Sequence, residues 1–289
     1  MTERSVSICG FPESGKTTYL AALWHLITNA ATPTVLKFKS LKNGDATHLN
    51  TIATRWRQGL TQIRTELPTS TLVSMNLTDA SGGTLRLTLP DMSGETYRDM
   101  FERRECSKSV ANFFSESLGM VLMVHADNIK HPLMVTTVVA QAGALGAAIP
   151  DGQEISWEPR IAPTQVQLVE FLQLLRQPPL SLAFEKLAIV FSAWDKVEEE
   201  GRSPERFLAE KLPLLQQYLD SKLDKWVWKV YGVSAQGGDY EKEERPFTGE
   251  ELEKLNVLKG LDEPSMRIKV ISDTTTSSDL TDPIAWLMR

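Results

Sequence analysis

Short apolar runs alternate with stretches of helical periodicity along this 289-residue chain. The runs are rich in β-branched and aliphatic residues and lie between turn residues, a pattern that is typical of buried strands. The predicted strands are Val6–Gly10, Val35–Phe38, Leu72–Leu77, Thr84–Leu89, Gly119–His125, Leu187–Ala193 and Trp226–Val233. The predicted helices are Thr18–Thr28, Leu49–Arg64, Val110–Glu116, Thr164–Leu175, Ser203–Ser221 and Glu250–Leu258. This order of elements predicts an α/β fold with a mostly parallel central sheet and helices on both of its faces.

One pair of neighbouring strands departs from the alternation. Thr71–Asp79 and Thr84–Leu89 are separated by a short polar turn that contains Gly82 and Gly83. Strands joined by so short a connection pair as a hairpin, because a parallel crossover needs about a dozen or more residues. One antiparallel strand is therefore expected in the otherwise parallel sheet.

The composition, with 42% hydrophobic and 24% charged residues, is that of an ordinary globular protein. No internal repeat or low-complexity linker marks a domain boundary. We therefore expect a single domain over residues 1–289, with insertions at about 42–66 and 130–162. The apolar segment 133–150 contains a glutamine and two glycines and falls short of a membrane span. It is expected to pack on the domain or to await a partner.

The net charge of −6 argues against binding to nucleic acid or to an anionic membrane, because both require a clustered basic face. The basic residues form no cluster longer than a pair. The two cysteines, Cys9 and Cys106, cannot build a disulfide framework and have no metal-site spacing. No secretory signal is visible near Met1. These features together favour a cytoplasmic protein.

Residues 10–18 have the sequence GFPESGKTT and lie between a predicted strand and a predicted helix. They match the pattern GxxxxGK[ST], in which glycines let backbone N–H groups surround phosphate oxygens. Lys16 would reach the β- and γ-phosphate oxygens, and the Thr17 hydroxyl would bind Mg²⁺. The residues expected at the phosphates are Gly10, Glu13, Ser14, Gly15, Lys16, Thr17 and Thr18. The alternative is a glycine-rich turn that caps a helix and binds nothing.

A second motif, DMSGE at 91–95, follows the predicted strand Thr84–Leu89. Asp91 is placed to hold Mg²⁺ through water, and the Gly94 N–H is placed to contact the γ-phosphate. On its own a DxxG pattern usually marks a turn. After a phosphate-binding loop it indicates a nucleoside triphosphatase.

Two further motifs end later strands, FSAWDK at 191–196 and YGVSAQGG at 231–238. With them the chain resembles the TRAFAC class of GTPases, in which an NKxD box recognises guanine and an SAK box supports it. The resemblance assigns the base to Asp195, Lys196, Ser234, Ala235 and Gln236. A carboxylate at Asp195 can accept from both N1–H and the exocyclic amine of guanine. The alternative role for Asp195 is a helix N-cap.

The chain departs from this class at three positions. Ser192 and Ala193 replace the Asn and Lys of NKxD, and Gln236 replaces the Lys of SAK. In the class that first Lys lies along the base, so its loss is expected to weaken binding and to leave the choice of guanine intact.

The combination of ICGFPESGKTTYLAALWH, LPDMSGE, SAWDKV, YGVSAQGG and a terminal DPIAWLM is similar to the bacterial double-GTPase group. This resemblance covers nearly the whole chain. It implies a Ras-like fold and a Mg²⁺-dependent switch that alternates between GTP and GDP. It also implies a role in a multi-component conflict or signalling system.

The Ras-like resemblance assigns roles to two residues ahead of the predicted hairpin. Thr69, in Leu67–Pro68–Thr69, is the best-placed threonine to close on Mg²⁺ and the γ-phosphate, although it is equally consistent with an ordinary loop. Arg64 occupies the place of an arginine finger supplied in cis, and its alternative role is a cation at a helix end.

Glu95 stands where Ras-like enzymes carry the glutamine that orients the attacking water. A carboxylate there could act as a general base, but it would also repel the γ-phosphate, so slow unassisted hydrolysis is expected. The alternatives are a nucleotide-gated interaction module with little hydrolysis and an ATPase that uses the same loop. The segment RDMFERR, Arg98–Arg104, is expected to present a nucleotide-dependent surface to a protein effector or activator.

Overall fold

The computed structural model describes residues 4–29, 32–62, 73–89, 94–132, 158–198, 201–273 and 275–289. The strands in these ranges are β1 (Arg4–Cys9), β2 (Lys37–Asn43), β3 (Val73–Thr78), β4 (Thr84–Leu89), β5 (Ser117–His125), β6 (Lys186–Ser192), β7 (Val227–Ser234), β8 (Lys269–Ser272) and β9 (Thr275–Ser277). They form one sheet in the order β2-β3-β4-β1-β5-β6-β7-β8-β9. The predicted α/β architecture is confirmed.

The α-helices of the described ranges are α1 (Lys16–Thr28), α2 (Ala46–Gln58), α3 (Gly94–Arg103), α4 (Lys108–Ser115), α5 (Thr164–Arg176), α6 (Pro204–Lys211), α7 (Pro213–Asp220), α8 (Gly249–Lys259) and α9 (Asp282–Met288). In this part of the chain no helix has both the length and the apolar character that crossing a bilayer requires. The single helix expected over 203–221 is wrong, because it divides into α6 and α7. Pro213 lacks an N–H and excludes the helical conformation at Leu212, whose φ and ψ are −132° and 53°.

The centre of the sheet is parallel, since β4, β1, β5, β6 and β7 all run in one direction. β3 pairs antiparallel with β4 from Val73 opposite Leu89 to Thr78 opposite Thr84, which confirms the predicted hairpin. β8 is a second antiparallel strand in the described part of the chain, where one was expected. It was missed because its four residues are too few to produce a periodic pattern.

Helices cover both faces of the sheet, and each face has its own apolar core. The alternation along each strand divides its residues between the two cores. Val121 and Met123 of β5 pack with α1, α2 and α9, whereas Met120, Leu122 and Val124 pack with α4, α5 and α6. The sheet is therefore buried on both sides, as continuous apolar strands require.

The carboxyl ends of the central strands meet at one edge of the sheet. Register places Cys9 opposite Leu122, His125 opposite Ser192 and Ser192 opposite Val233. The loops that leave β1, β6 and β7 are consequently neighbours, although they are far apart in sequence. In open α/β sheets ligands bind at this edge.

Candidate functional site

The loop after β1 is a tight turn that depends on two glycines. The Ser14 N–H donates to the Phe11 carbonyl at 3.2 Å, and Gly15 has a φ of 84° where the chain enters α1. A Cβ on Gly10 would lie 2.5 Å from the Met123 carbonyl oxygen, and a Cβ on Gly15 would lie 2.8 Å from Ser192 Oγ. Both positions therefore require glycine, because the backbone of β5 approaches Gly10 and the end of β6 approaches Gly15.

The first turn of α1 is suited to an anion. Its N-cap is Gly15, which has no side chain to accept from the first N–H groups of the helix, and the turn contains no acidic residue. The positive end of the helix dipole also lies at this first turn. A phosphate group satisfies these requirements.

Lys16 folds back onto the loop. Its Nζ donates to the Gly10 carbonyl at 2.6 Å, to the Phe11 carbonyl at 2.9 Å and to Ser14 Oγ at 3.2 Å. Burial lowers the pKa of Lys16 to about 8, and the nearby Cys9 thiol opposes this shift in part. An anion bound in the loop would stabilise the charged amine and raise this pKa again.

A pocket of about 130 Å³ lies beside the loop. Its walls come from α1, from the ends of β5 and β6 and from the segment that follows β7. The lining residues are Gly15, Thr18, Tyr19, Met123, His125, Ser192, Ala193, Asp195, Lys196, Val233, Ala235, Gln236 and Asp239. The pocket thus joins the first glycine-rich motif to the two later motifs.

Asp195 lies in this pocket with a fixed side chain. The Ser234 hydroxyl donates to Asp195 Oδ1 at 2.6 Å and accepts from the Gly237 N–H at 3.0 Å. The residue that caps the short 3-10 turn Trp194–Lys196 is Ala193, so the alternative of Asp195 as an N-cap is wrong. The carboxylate is therefore held by the last residue of β7.

Ser192 connects the two halves of the site. Its Oγ donates to the Ser14 carbonyl at 2.9 Å, and both residues are buried. In the sequence, Ser192 was noted only because it replaces the Asn of NKxD. In the structure its hydroxyl connects the end of β6 to the loop after β1 by a hydrogen bond. The bond fixes the distance between the phosphate-binding loop and Asp195.

The structure adds Asp239 and Tyr19, which the sequence did not assign to the site. Lys196 forms an ion pair with Asp239, and Gln236 Nε2 donates to the Gly238 carbonyl at 2.7 Å. Tyr19 lines the pocket from α1 while its hydroxyl donates to the Leu280 carbonyl at 2.5 Å. Tyr19 looked like an ordinary core residue of an apolar helix, and Asp239 lay in a polar loop without a pattern.

The remaining predicted residues belong to the region around the γ-phosphate. Arg64, Thr69 and Asp91 lie outside the described residues. Gly94 is the first residue of α3, and Glu95 follows it, with its side chain outside the described residues as well. Their roles stay predictions.

Comparison with known proteins agrees with this arrangement. A family model described as Double-GTPase 1 matches residues 7–287 of the chain. The comparison with curated proteins gives no match. The matched range begins inside β1 and extends almost to the end of α9.

Proposed function

Because the chain belongs to the Double-GTPase 1 family, we propose that it is a Mg²⁺-dependent molecular switch that binds and hydrolyses GTP. One observation carries the proposal. The hydrogen bond from Ser192 to Ser14 holds a phosphate-binding loop and the Asp195 carboxylate on the same pocket. A ligand that spans them has an anionic group at one end and hydrogen-bond donors at the other, as GTP does.

The choice of guanine rests on the Asp195 carboxylate. Guanine offers its N1–H and its exocyclic amine on one edge, and a single carboxylate can accept from both. Adenine offers an unprotonated ring nitrogen there, so Asp195 would face another acceptor and lose its hydrogen bonds. The bond from Ser234 supports this role, since it holds Asp195 in one orientation before the base arrives.

The phosphates would be bound by the N–H groups of the loop and by Lys16. Thr17 lies in the first turn of α1, directly after Lys16. Thr17 and Thr69 would supply oxygen ligands, the kind that Mg²⁺ prefers, and Asp91 would hold the ion through water. Mg²⁺ bound there would neutralise part of the phosphate charge.

For hydrolysis, Glu95 would orient or deprotonate the attacking water, while Lys16 and Arg64 would stabilise charge on the γ-phosphate. Slow turnover is expected because a glutamate next to the γ-phosphate also repels it. If the repulsion dominates, the protein is a nucleotide-gated interaction module that hardly hydrolyses GTP. Single-turnover hydrolysis separates the two cases.

The expected partner is a protein that binds the switch region, where Arg103, the last residue of α3, and Arg104 after it are exposed. Membership in a multi-component bacterial conflict or signalling system is proposed from the motif resemblance. A cytoplasmic location is proposed because Cys9 and Cys106 are free thiols.

Competition between GTP and ATP for the purified protein, with and without Mg²⁺, tests the proposal. GTP should displace a labelled guanine nucleotide, and ATP at the same concentration should not. Lys16→Ala provides the control for binding at the phosphate loop. Equal displacement by ATP and GTP would contradict guanine specificity, and binding that Lys16→Ala leaves unchanged would contradict the site.

A further inference from the structure

Trp56 connects the helix α2 to the base pocket. It lies in the last turns of α2 and is fully buried. Its indole Nε1 donates to the carbonyl oxygen of Ala235 at 2.9 Å, across 179 residues of sequence. Ala235 and Gln236 line the pocket beside Asp195.

This hydrogen bond restrains a specific peptide unit. A peptide is planar, so the direction of the Ala235 carbonyl fixes the direction of the Gln236 N–H on the opposite side of the unit. Gln236 Nε2 and the Gly237 N–H are themselves bonded to Gly238 and Ser234. The whole turn that borders the base is therefore held in one conformation.

Trp56 is in turn held in place by a buried arginine. The guanidinium of Arg267 donates to the carbonyls of Trp56 and Arg57, at 3.3 Å and 3.1 Å, in the last turn of α2. It also donates to the Tyr240 hydroxyl at 3.1 Å and lies 5.7 Å from the centre of the Trp56 ring. Arg267 is 5% exposed, so this arrangement is part of the core.

The chain beyond the turn is bonded to the same end of α2. The Thr61 N–H donates to the Glu241 carbonyl at 2.9 Å, and the Glu241 N–H donates to the Gly59 carbonyl at 3.1 Å. The segment after β7 is therefore bonded at Glu241 to Gly59 and Thr61, which directly follow α2.

We propose that Trp56 is a positioning residue for guanine recognition. Its indole N–H holds the Ala235–Gln236 peptide so that the Gln236 N–H faces the base. Guanine has an acceptor at its 6-position, whereas adenine has an amine there, so fixed N–H donors favour guanine and oppose adenine. The inference rests on the proposed guanine specificity and adds a determinant that is separate from Asp195.

The test uses Trp56→Phe, which keeps an aromatic ring in the core and removes the N–H. It should lower the ratio of GDP to ADP affinity by about three- to tenfold, the effect of one hydrogen bond. The ratio of GDP to inosine diphosphate affinity should not change. These two ligands share the 6-oxygen and differ in the amine that Asp195 would recognise.

Trp24→Phe is a matched control. The Trp24 indole donates to Asn50 Oδ1 at 2.9 Å and also joins α1 to α2, but it does not contact the base loop. It should lose comparable stability and keep both ratios. A Trp56→Phe variant with unchanged GDP-to-ADP ratio, or a Trp24→Phe variant with an equally lowered one, overturns the inference. A wild-type protein that does not prefer GDP to ADP would instead overturn the proposed function.

If Trp56→Phe does not fold, the wild-type protein supplies the measurement. The indole N–H of Trp56 is observed by NMR with and without GDP. GDP should shift its resonance and slow its hydrogen exchange, while the indole of Trp24 stays unchanged. No response at Trp56, or the same response at both indoles, overturns the inference.

Discussion

Replacement of Gly15 by alanine tests how closely the two loops of the site approach each other. Gly15 has a φ of 84°, and a Cβ there would lie 2.8 Å from Ser192 Oγ and 3.0 Å from Ser192 Cβ. The substitution therefore has a backbone cost and a steric cost. The steric part acts on the residue that bonds the Ser14 carbonyl.

Gly82→Ala separates the two costs. Gly82 lies in the turn between β3 and β4 with a φ of 83°, and a Cβ there would meet nothing within 4 Å. Both variants lose about 1–2 kcal/mol by placing alanine in the left-handed region. Gly15→Ala should lose a further 1–3 kcal/mol, approximately, because the neighbours of an extra methyl group have to shift.

The assay is urea unfolding of both variants together with their GDP affinities. Gly15→Ala should be the less stable of the two and should bind GDP weakly, while Gly82→Ala should bind it like the wild type. Adding Ser192→Gly to Gly15→Ala removes both contacting atoms and should restore part of the stability. Equal losses in the two single variants would refute the close approach.

Three further results are expected. Lys16→Ala and Thr17→Ala should abolish triphosphate binding or its Mg²⁺ dependence in a binding titration; wild-type affinity in both would contradict the phosphate site. Folding lowers the pKa of Lys16 from 10.5 to about 8. Between pH 8 and pH 10.5 the unfolded chain therefore binds more protons than the folded protein, and the free energy of unfolding should rise with pH in this range. Lys16→Ala should remove that rise in urea unfolding at a series of pH values, and an unchanged rise would assign it to other groups. Glu95→Ala should slow single-turnover hydrolysis by about ten- to ten-thousand-fold if Glu95 is a general base. Glu95→Gln should instead bind GTP more tightly and hydrolyse it at least as fast if repulsion dominates, and unaltered hydrolysis in both variants would reject both roles.

The sequence predicted the parts of the fold whose signal is local. β5 and β6 are buried on both faces, and their continuous apolar runs mark them clearly. β2 is an exposed edge strand with the sequence KFKSLKN, and it was predicted at Val35–Phe38 instead of Lys37–Asn43. Its lysines protect a sheet edge from pairing with other chains, and such residues do not form an apolar pattern.

The candidate site likewise has parts that the sequence predicted and parts that it did not. The loop 10–15 and the ends of β6 and β7 were recognisable because each motif is contiguous in sequence. The contacts that assemble them are not contiguous: Ser192 and Ser14 are 178 residues apart, and Trp56 and Ala235 are 179 apart. A serine hydroxyl or an indole N–H gives no sign in the sequence of the carbonyl it will contact, so these links required coordinates.

The most direct measurement of guanine recognition is competition between GTP and xanthosine triphosphate for Asp195→Asn. The amide of asparagine donates to the 2-oxygen of xanthine where the carboxylate of Asp195 would accept from the amine of guanine. Asp239→Asn is the control. Asp239 lines the same pocket and pairs with Lys196, so its substitution removes the same charge without changing the carboxylate proposed to bind guanine. The account predicts that Asp195→Asn shifts the preference toward xanthosine triphosphate and that Asp239→Asn does not. A variant Asp195→Asn that still prefers GTP by the wild-type ratio would contradict it.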